Sequence, residues 1–302
     1  MSEKAPFPAR LTILHADTPT KADQFDLPCS SPSLALRLTS LSAYNRFRAV
    51  CAIFSREGRT EPECRSDLFR TVFSFRRRCA EAGVEPSRVL FSVEDLRPIG
   101  RDLTLLDALP ALGVISVIPF WRGENALGGG WDTDAGLSDF GRAAIENCFA
   151  LGLIPDISHA SRRSSDEILS MGEAQGKPVI ASHVGFDALR PHGRNLTDEE
   201  ARRIAALGGL IGITFHAPHL TNDQNAGIGD VVRHLIYGYS RFPAATALGA
   251  DFDGTDRLPE GLSSSDDLPA LAAALAAEGI TAGGIEAIFS GNADRFFDRI
   301  GL

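Results

Sequence analysis

Short apolar segments alternate with longer amphipathic ones along the chain. Eight of these short segments are rich in Val, Ile, Leu and Phe, and most lack polar alternation. This pattern is typical of strands that are buried on both faces, as in a parallel sheet covered by helices. The eight predicted strands are Leu11–Leu14, Arg48–Phe54, Val89–Val93, Val114–Phe120, Leu153–Ile157, Pro178–Ala181, Leu210–Phe215 and Thr246–Ala250.

Helical spacing of apolar residues fills the intervals between these strands. Two predicted helices begin with a capping box, formed by Ser164 with Glu167 and by Thr197 with Glu200. Strands that alternate with helices form either a doubly wound sheet or a closed barrel. The predicted helices are Pro62–Ala82, Asp139–Leu151, Ser165–Glu173, Asp198–Leu207, Val231–Tyr239, Leu268–Glu278 and Gly284–Ile300.

The positions of polar residues favour the barrel. A doubly wound sheet collects its chemistry at one crevice, often beside a Gly-rich turn after the first strand. Here His15 follows the first strand, and chemically active side chains follow five separate strands. The chemistry of a barrel lies at the carboxyl ends of several strands, and a barrel needs about 250 residues. The 302-residue chain is therefore predicted to be one α/β domain, a (β/α)8 TIM-type barrel over residues 1–302.

The composition of the chain argues against two classes of partner, nucleic acids and membranes. The net charge of −9 argues against binding to nucleic acid through phosphate contacts. No apolar run approaches the ~20 residues that span a bilayer, and the segment Met1–Arg10 lacks the apolar core of a signal peptide. Five cysteines without a C-x-x-C pair indicate free, buried thiols. We expect a cytoplasmic protein with no membrane or nucleic-acid partner.

Five side chains at the predicted strand ends form a candidate metal site. His15 and Asp17 are two residues apart, so on a strand both point into the same site. Each residue alone is a weak signal, but buried ionisable groups at four strand ends need partners. Imidazole nitrogens and carboxylate oxygens suit Zn2+. The predicted ligands are His15, Asp17, Glu94, His159 and His183.

Two zinc ions fit these ligands better than one. Each ion has three ligands if Glu94 gives one oxygen to each ion. Many two-metal barrels use a carboxylated lysine as the bridge, but Lys4 and Lys21 lie outside strand ends, and Lys177 precedes strand six. A pair of zinc ions ~3.5–4 Å apart can hold a bridging hydroxide and polarise a carbonyl. The same ligands also accept Mn2+, Fe2+ or Co2+.

Other polar residues near the strand ends have more than one interpretation. Asp251 is predicted to transfer protons as the acid/base, with a weak extra ligand as the alternative. Arg194 offers a planar fork for a substrate carboxylate, with a loop salt bridge as the alternative. Asp253 precedes Gly254 and is expected to be structural.

The remaining histidines are weaker candidates. His192 is expected to be a polar loop residue. His216 and His219 follow strand seven, where they either face the pocket or pack. His234 lies in a helical pattern, which favours packing or surface exposure.

Several motifs together resemble the membrane (renal) dipeptidase family of zinc peptidases, in its bacterial form. They are Asp156-Ile-Ser-His159, Ala181-Ser-His183, Arg194-Asn195, Gly208-Gly209-Leu-Ile-Gly212, Gly249-Ala-Asp251-Phe-Asp253-Gly254, Glu260-Gly261-Leu262 and Gly291-Asn292-x-x-Arg295. The resemblance implies hydrolysis of small dipeptides, some with a D-residue at the C-terminal position. It places His15 and Asp17 on one zinc ion, His159 and His183 on the other, and Glu94 between them.

Two positions depart from the family pattern. Asp95 follows the bridging Glu94, where the family usually has glycine, and Trp121 takes the place of a vertebrate histidine. Trp121 is predicted to bind substrate as a pocket wall. Two other functions compete: a two-metal hydrolase of another carboxylate-bearing amide, N-acyl amino acid or lactone, and a non-enzymatic metal-binding barrel. A homodimer is compatible with each of them.

Overall fold

A single parallel sheet of eight strands forms the centre of the protein. The computed structural model describes residues 7–302, so Lys4 and most of Met1–Arg10 lie outside it. The strands are β1 (Arg10–Ala16), β2 (Arg46–Phe54), β3 (Val89–Glu94), β4 (Val114–Ile118), β5 (Ile154–Pro155), β6 (Ala181–Val184), β7 (Ile211–Thr214) and β8 (Thr246–Phe252).

The sheet closes on itself. Its order is β5-β4-β3-β2-β1-β8-β7-β6, with every pair parallel. Asp156 and Ile180 form a parallel bridge between the segments of β5 and β6, and the Ile157 N–H donates to the Ile180 carbonyl at 2.9 Å. The prediction of a TIM-type barrel is confirmed. Glu124–Asn125 and Gly128–Gly129 form a small hairpin outside the barrel.

Helices connect and surround the strands. They are α1 (Thr18–Gln24), α2 (Glu61–Glu81), α3 (Asp139–Ala150), α4 (Arg162–Gln175), α5 (Asp198–Ala206), α6 (Ala217–Leu220), α7 (Ile228–Arg241), α8 (Leu268–Ala277), α9 (Ala282–Glu286) and α10 (Asn292–Arg299). Short 3-10 segments cover Ser40–Ala43, Pro86–Arg88, Arg97–Ile99, Leu103–Ala108, Pro110–Leu112 and Ser265–Asp267. Within residues 7–302, no helix is both long enough and apolar enough to cross a membrane.

Two helix predictions were wrong in detail. The N-cap of α4 is Ser161 rather than Ser164, because the Ser161 hydroxyl accepts the N–H of Ser164 at 3.0 Å. The predicted helix Gly284–Ile300 is broken by a π-helical turn at Ala287–Gly291. The capping box of Thr197 and Glu200 is present as predicted.

Strand boundaries also shift, and these shifts move functional residues. Strand six was predicted at Pro178–Ala181 but begins at Ala181, since Pro178 has no N–H to donate to a ladder. His183 therefore lies inside β6 rather than after it. Strand eight continues through Phe252, although Ala250 and Asp251 adopt left-handed φ values of 63° and 71°.

The last helix packs on strand residues of the barrel. Phe296 and Phe297 of α10 form a hydrophobic cluster with strand residues that include Leu14, Val50 and Ile154. The guanidinium of Arg48 lies over the Phe297 ring, 5.5 Å from its centroid. These contacts bury apolar surface between α10 and the strands of the barrel.

Candidate metal centre and active site

The five predicted ligands converge at the carboxyl ends of the strands. The Nε2 atom of His15 lies 3.2 Å from an oxygen of Asp17 and 3.4 Å from Glu94 Oε2. The Nε2 atom of His159 lies 3.0 Å from Glu94 Oε1 and 2.9 Å from Nε2 of His183. All five side chains are buried.

Glu94 stands between two pairs of ligands. Its Oε2 faces His15, while its Oε1 faces His159 and lies 3.9 Å from Nε2 of His183. Other groupings are also close enough: the ligand atoms of His15, Glu94 and His183 lie within 4.8 Å of one another. With His15 and Asp17 taken as one pair, and His159 and His183 as the other, each oxygen of Glu94 faces one pair.

The hydrogen bonds of His159 indicate that a cation belongs here. Its Nδ1 lies 2.9 Å from the Trp121 carbonyl, which can only accept, so Nδ1 must donate. The neutral ring then presents a lone pair at Nε2, which points at Glu94 Oε1, another acceptor. Burial lowers the pKa of His159 to about 4, so the ring is neutral at pH 7. Acceptors that face each other at 3.0 Å are what a shared cation requires.

The pKa values of Asp17 and His15 also indicate a site for a cation. Burial, together with the neighbouring Glu94, raises the pKa of Asp17 to about 7. Burial lowers the pKa of His15, but Glu94 and Asp17 outweigh it and raise this pKa well above its ordinary value. The cluster therefore favours added positive charge. Among residues 7–302, His15 Nδ1 and Asp17 Oδ1 have no hydrogen-bond partner.

Backbone conformation shapes this rim. Asp95, His159, Asp251 and Asp253 all have φ between 64° and 72°, the left-handed region that few non-glycine residues adopt. Such strain is common where function fixes a side chain. A Cβ added to Gly254 would collide with the carboxylate oxygens of Asp17 and Asp251. Only glycine leaves these two carboxylates room to approach the site together.

Asp251 lies beside the ligands. Its Oδ1 is 3.9 Å from Nε2 of His15, and it groups with His15 and Asp17 within 4.8 Å. Burial raises the pKa of Asp251 well above its ordinary value, although His15 acts against this. A raised pKa suits a carboxyl group that exchanges protons near neutral pH.

A cavity of about 610 Å3 opens above the ligands. Asp17, Glu94, His159 and Asp251 line its floor, while His15 and His183 lie buried below. Trp121 lines one side, where its ring is 5.1 Å from that of Phe54 and 6.3 Å from that of His159. The structure thus places Trp121 at a pocket wall, and its carbonyl orients His159.

Arg194 lines the cavity and is almost fully buried, with 4% of its surface exposed. Its Nη2 donates to the His183 carbonyl at 3.3 Å. Its Nε and Nη1 have no hydrogen-bond partner in the described part of the chain. Burial lowers its pKa to about 10, so it stays charged at pH 7. The alternative of a loop salt bridge is not what the structure shows, since no carboxylate of residues 7–302 pairs with it.

Beside Arg194 lies a second histidine group, which we call the histidine wall: His192, His216 and His219. The ring centroids of His192 and His219 are 4.8 Å apart, and those of His216 and His219 are 4.4 Å apart. Trp131, which the sequence did not single out, stacks on His192 at 5.4 Å and lines the cavity. His192 is thus part of a ring stack rather than an isolated loop residue.

Asp253 and His234 have structural contacts. Asp253 accepts from Thr18 at 2.6 Å, from Lys21 Nζ at 2.9 Å and from the Ala35 N–H at 2.8 Å. Lys21, expected to lie away from strand ends, also lines the cavity. His234 is fully buried, and its Nδ1 accepts the Phe186 N–H at 3.0 Å.

Comparison with known proteins identifies the family. The model of the membrane dipeptidase family, peptidase family M19, matches residues 76–301. The chain belongs to the membrane dipeptidase family. This confirms the resemblance seen in the sequence and makes the protein a metal-dependent hydrolase by family. The prediction of Glu94 as the residue that bridges two metal ions stays a prediction.

The chain is also similar to two curated proteins, and it shares its fold with a solved structure. The chain is 34% identical to an uncharacterised protein of Klebsiella pneumoniae over 60% of this chain and 69% of that protein. It is 32% identical to a dipeptidase of Claviceps purpurea over 70% of this chain and 50% of that protein, so it spans half the length of the fungal relative. A Rhodobacter sphaeroides metallopeptidase liganded with a phosphinate mimic of L-Ala-D-Ala has a TM-score of 0.83 at 20% identity, with 96% and 99% of the two chains covered.

The structure gives a reason for one departure from the family pattern. Asp95 has a φ of 64°, in the left-handed region that glycine adopts freely and that aspartate adopts more readily than most other residues. Its carboxylate accepts from Arg97 at 2.6 Å and from the Asn125 amide at 2.9 Å. The side chain thus ties the end of β3, which bears Glu94, to the hairpin near Trp121.

Proposed function

We propose that the protein is a binuclear zinc dipeptidase that hydrolyses the amide bond of small dipeptides, including those with a D-residue at the C-terminal position. The observation that carries the proposal is Glu94, buried with each of its oxygens facing different ligands. His15 and Asp17 would hold one ion, and His159 and His183 the other. When bound, zinc supplies Lewis acidity that lowers the pKa of water and polarises the scissile carbonyl.

Arg194 would bind the C-terminal carboxylate of the substrate. A charged guanidinium with two unpartnered donor nitrogens in a buried wall is a strong receptor for a carboxylate. It lies beside His183, with 3.3 Å between Arg194 Nη2 and the His183 carbonyl. A carboxylate at Arg194 would therefore hold a dipeptide with its amide bond near the ligand cluster.

Asp251 would move the proton. It accepts a proton from the attacking water and delivers it to the departing amine nitrogen, so that water and amide become acid and amine. Its buried position next to His15 and Asp17 supports this role. Gly254 supports it as well, because its missing side chain leaves the Asp251 carboxylate room.

The test is a panel of L,L- and L,D-dipeptides, assayed with zinc-loaded and chelated protein. We expect hydrolysis of dipeptides only in the zinc-loaded form, with two zinc ions per chain. N-acyl amino acids and lactones form the comparison arms. Faster turnover of either arm than of every dipeptide would contradict the proposed substrate class, and activity that survives complete chelation would contradict the metal centre.

A further inference from the structure

A polar network outside the ligand set links β5 to β6 beneath the candidate metal centre. Asp156 is fully buried at the bridge that closes the barrel. Its Oδ1 accepts the N–H of Ser158 at 2.9 Å and the N–H of Ser182 at 3.1 Å. Each of these serines immediately precedes a predicted ligand, His159 or His183. One carboxylate oxygen therefore joins the two backbone segments that present these histidines.

The two serine hydroxyls extend the network to His183. The Ser158 hydroxyl accepts the backbone N–H of His183 at 3.2 Å, and Ser182 Oγ lies 2.9 Å from Nδ1 of His183. If His183 uses Nε2 toward the ligand cluster, its Nδ1 carries the proton and donates to Ser182. A hydrogen bond at the far nitrogen fixes the tautomer and the ring orientation of a metal-binding histidine.

We propose that Asp156, Ser158 and Ser182 form a positioning clamp that holds His159 and His183 for one metal ion. The inference rests on the proposed metal centre and adds residues to it that contact neither substrate nor metal. The clamp acts through backbone N–H groups and the His183 ring, and it accounts for the 2.9 Å separation of the two Nε2 atoms.

The local backbone explains why a clamp is needed. β5 contains only Ile154 and Pro155, and its bridge to the β6 segment ends at Ile157, two residues before His159. His159 has a left-handed φ of 72°, a conformation that costs of order 1 kcal/mol or more unless its surroundings fix it. The hydrogen bonds that Asp156 accepts from Ser158 and Ser182 stabilise the chain on both sides of the barrel closure at this point.

Ser182→Ala tests the contact to the ring, with Ser92→Ala as its matched control. Both serines are buried on strand segments, but Ser92 Oγ has no partner in the described residues. Zinc titration of chelated protein against a competing chelator yields separate constants for the two ions. We expect Ser182→Ala to weaken one ion roughly 10–100-fold and to leave the other near wild type, while Ser92→Ala changes neither.

Two substitutions of Asp156 test the backbone contacts. Asp156→Asn keeps an oxygen acceptor for both N–H groups, so we expect its zinc affinities to stay close to wild type. Asp156→Ala removes the acceptor, and we expect it to weaken the same ion as Ser182→Ala. Loss of that ion in Asp156→Asn would show that negative charge, rather than the acceptor, is required, and would overturn the clamp.

The outcomes separate the clamp from the metal centre. Wild-type protein that binds two zinc ions, with Ser182→Ala no weaker than Ser92→Ala, would overturn the clamp alone. Wild-type protein that binds no zinc would overturn both. Weakening of one ion in Ser182→Ala, with Asp156→Asn unaffected, supports the clamp even if Asp156→Ala fails to fold.

Discussion

Six of the seven histidines form two groups of three at the same end of the barrel. The groups differ in their neighbours, because only the first lies among carboxylates. His15, His159 and His183 surround Glu94, with Asp17 at 3.2 Å from His15. The rings of the histidine wall lie beside Arg194 and Trp131. Across residues 7–302, no carboxylate lies within ion-pair distance of a ring nitrogen of the wall.

This difference shows why the number of histidines does not define a metal site. Burial lowers the pKa of His216 to about 4, and burial with Arg194 holds the pKa of His219 well below its ordinary value. Burial also lowers the pKa of His192, so the three rings of the wall are neutral at pH 7 and Arg194 is a positive charge beside them. The first group contains surplus carboxylate charge, which bound cations would neutralise. The proposed function thus assigns metal binding and carboxylate recognition to adjacent sides of one cavity.

Replacing one histidine of each group by glutamine is expected to give the largest difference in zinc content and activity. We expect His183→Gln to lose one zinc ion and to reduce kcat/KM for dipeptides roughly 10³-fold or more, because a two-ion site loses a ligand. His219→Gln should keep two zinc ions. Metal analysis and dipeptide kinetics measure both effects. Equal metal content in the two variants would contradict the division into two groups.

Arg194→Lys should raise KM for dipeptides about 100-fold, because an ammonium lacks the planar fork that binds a carboxylate with two hydrogen bonds. Zinc content should stay at the wild-type value. A dipeptide with an amidated C-terminus serves as the control substrate, since wild type and variant should cleave it at similar rates. A similar KM increase for the amidated substrate would place the role of Arg194 elsewhere.

Gly254→Ala introduces a methyl group that collides with the Asp17 and Asp251 carboxylates. We expect the free energy of unfolding to fall by about 1–3 kcal/mol, with weaker binding of the ion held by His15 and Asp17. Gly229→Ala is the control, since a Cβ there meets nothing within 4 Å. Denaturant titration and zinc titration test both effects, and a wild-type zinc affinity for Gly254→Ala would contradict the crowding at this carboxylate pair.

The seventh histidine, His234, gives a smaller, pH-dependent effect. Burial lowers its pKa to about 4, while the unfolded chain has the ordinary value of about 6.5. As pH falls below 6.5 the unfolded state binds the proton first, so stability is lost by up to about 1.4 kcal/mol per pH unit. Denaturation at pH 7 and pH 5.5 should show a steeper loss for wild type than for His234→Gln. Equal losses would contradict this assignment.

The sequence was most informative where regular geometry relates distant residues. The common rim of parallel strands was sufficient to predict that Glu94, His159 and His183 meet His15 and Asp17. The expected strand spacing of the last two was wrong in detail, because β1 ends at Ala16 and Asp17 is the N-cap residue of α1. The alternation of buried strands and helices, together with the polar residues that follow five separate strands, was sufficient to predict the barrel. Residue periodicity and the direction of parallel strands determine both features.

Features that depend on irregular backbone were missed. The left-handed residues Asp251 and His159 follow no periodic pattern, and the Trp121 carbonyl that orients His159 belongs to the main chain and not to the residue type. Trp131 and Lys21 reach the cavity from loops or a short helix whose path tertiary packing sets. The glycine-rich segment 121–136 was a usable signal for an irregular loop, but not for the stack on His192.

Zinc titration of wild type and Glu94→Gln tests the central claim most directly. We expect two zinc ions per wild-type chain and weaker binding of both ions in Glu94→Gln, because the amide removes one ligand oxygen and also the negative charge that the two ions share. Glu278→Gln, an exposed glutamate, is the matched control and should behave as wild type. A wild-type chain that binds a single ion, or a Glu94→Gln variant in which only one of two ions is weakened, would contradict the account.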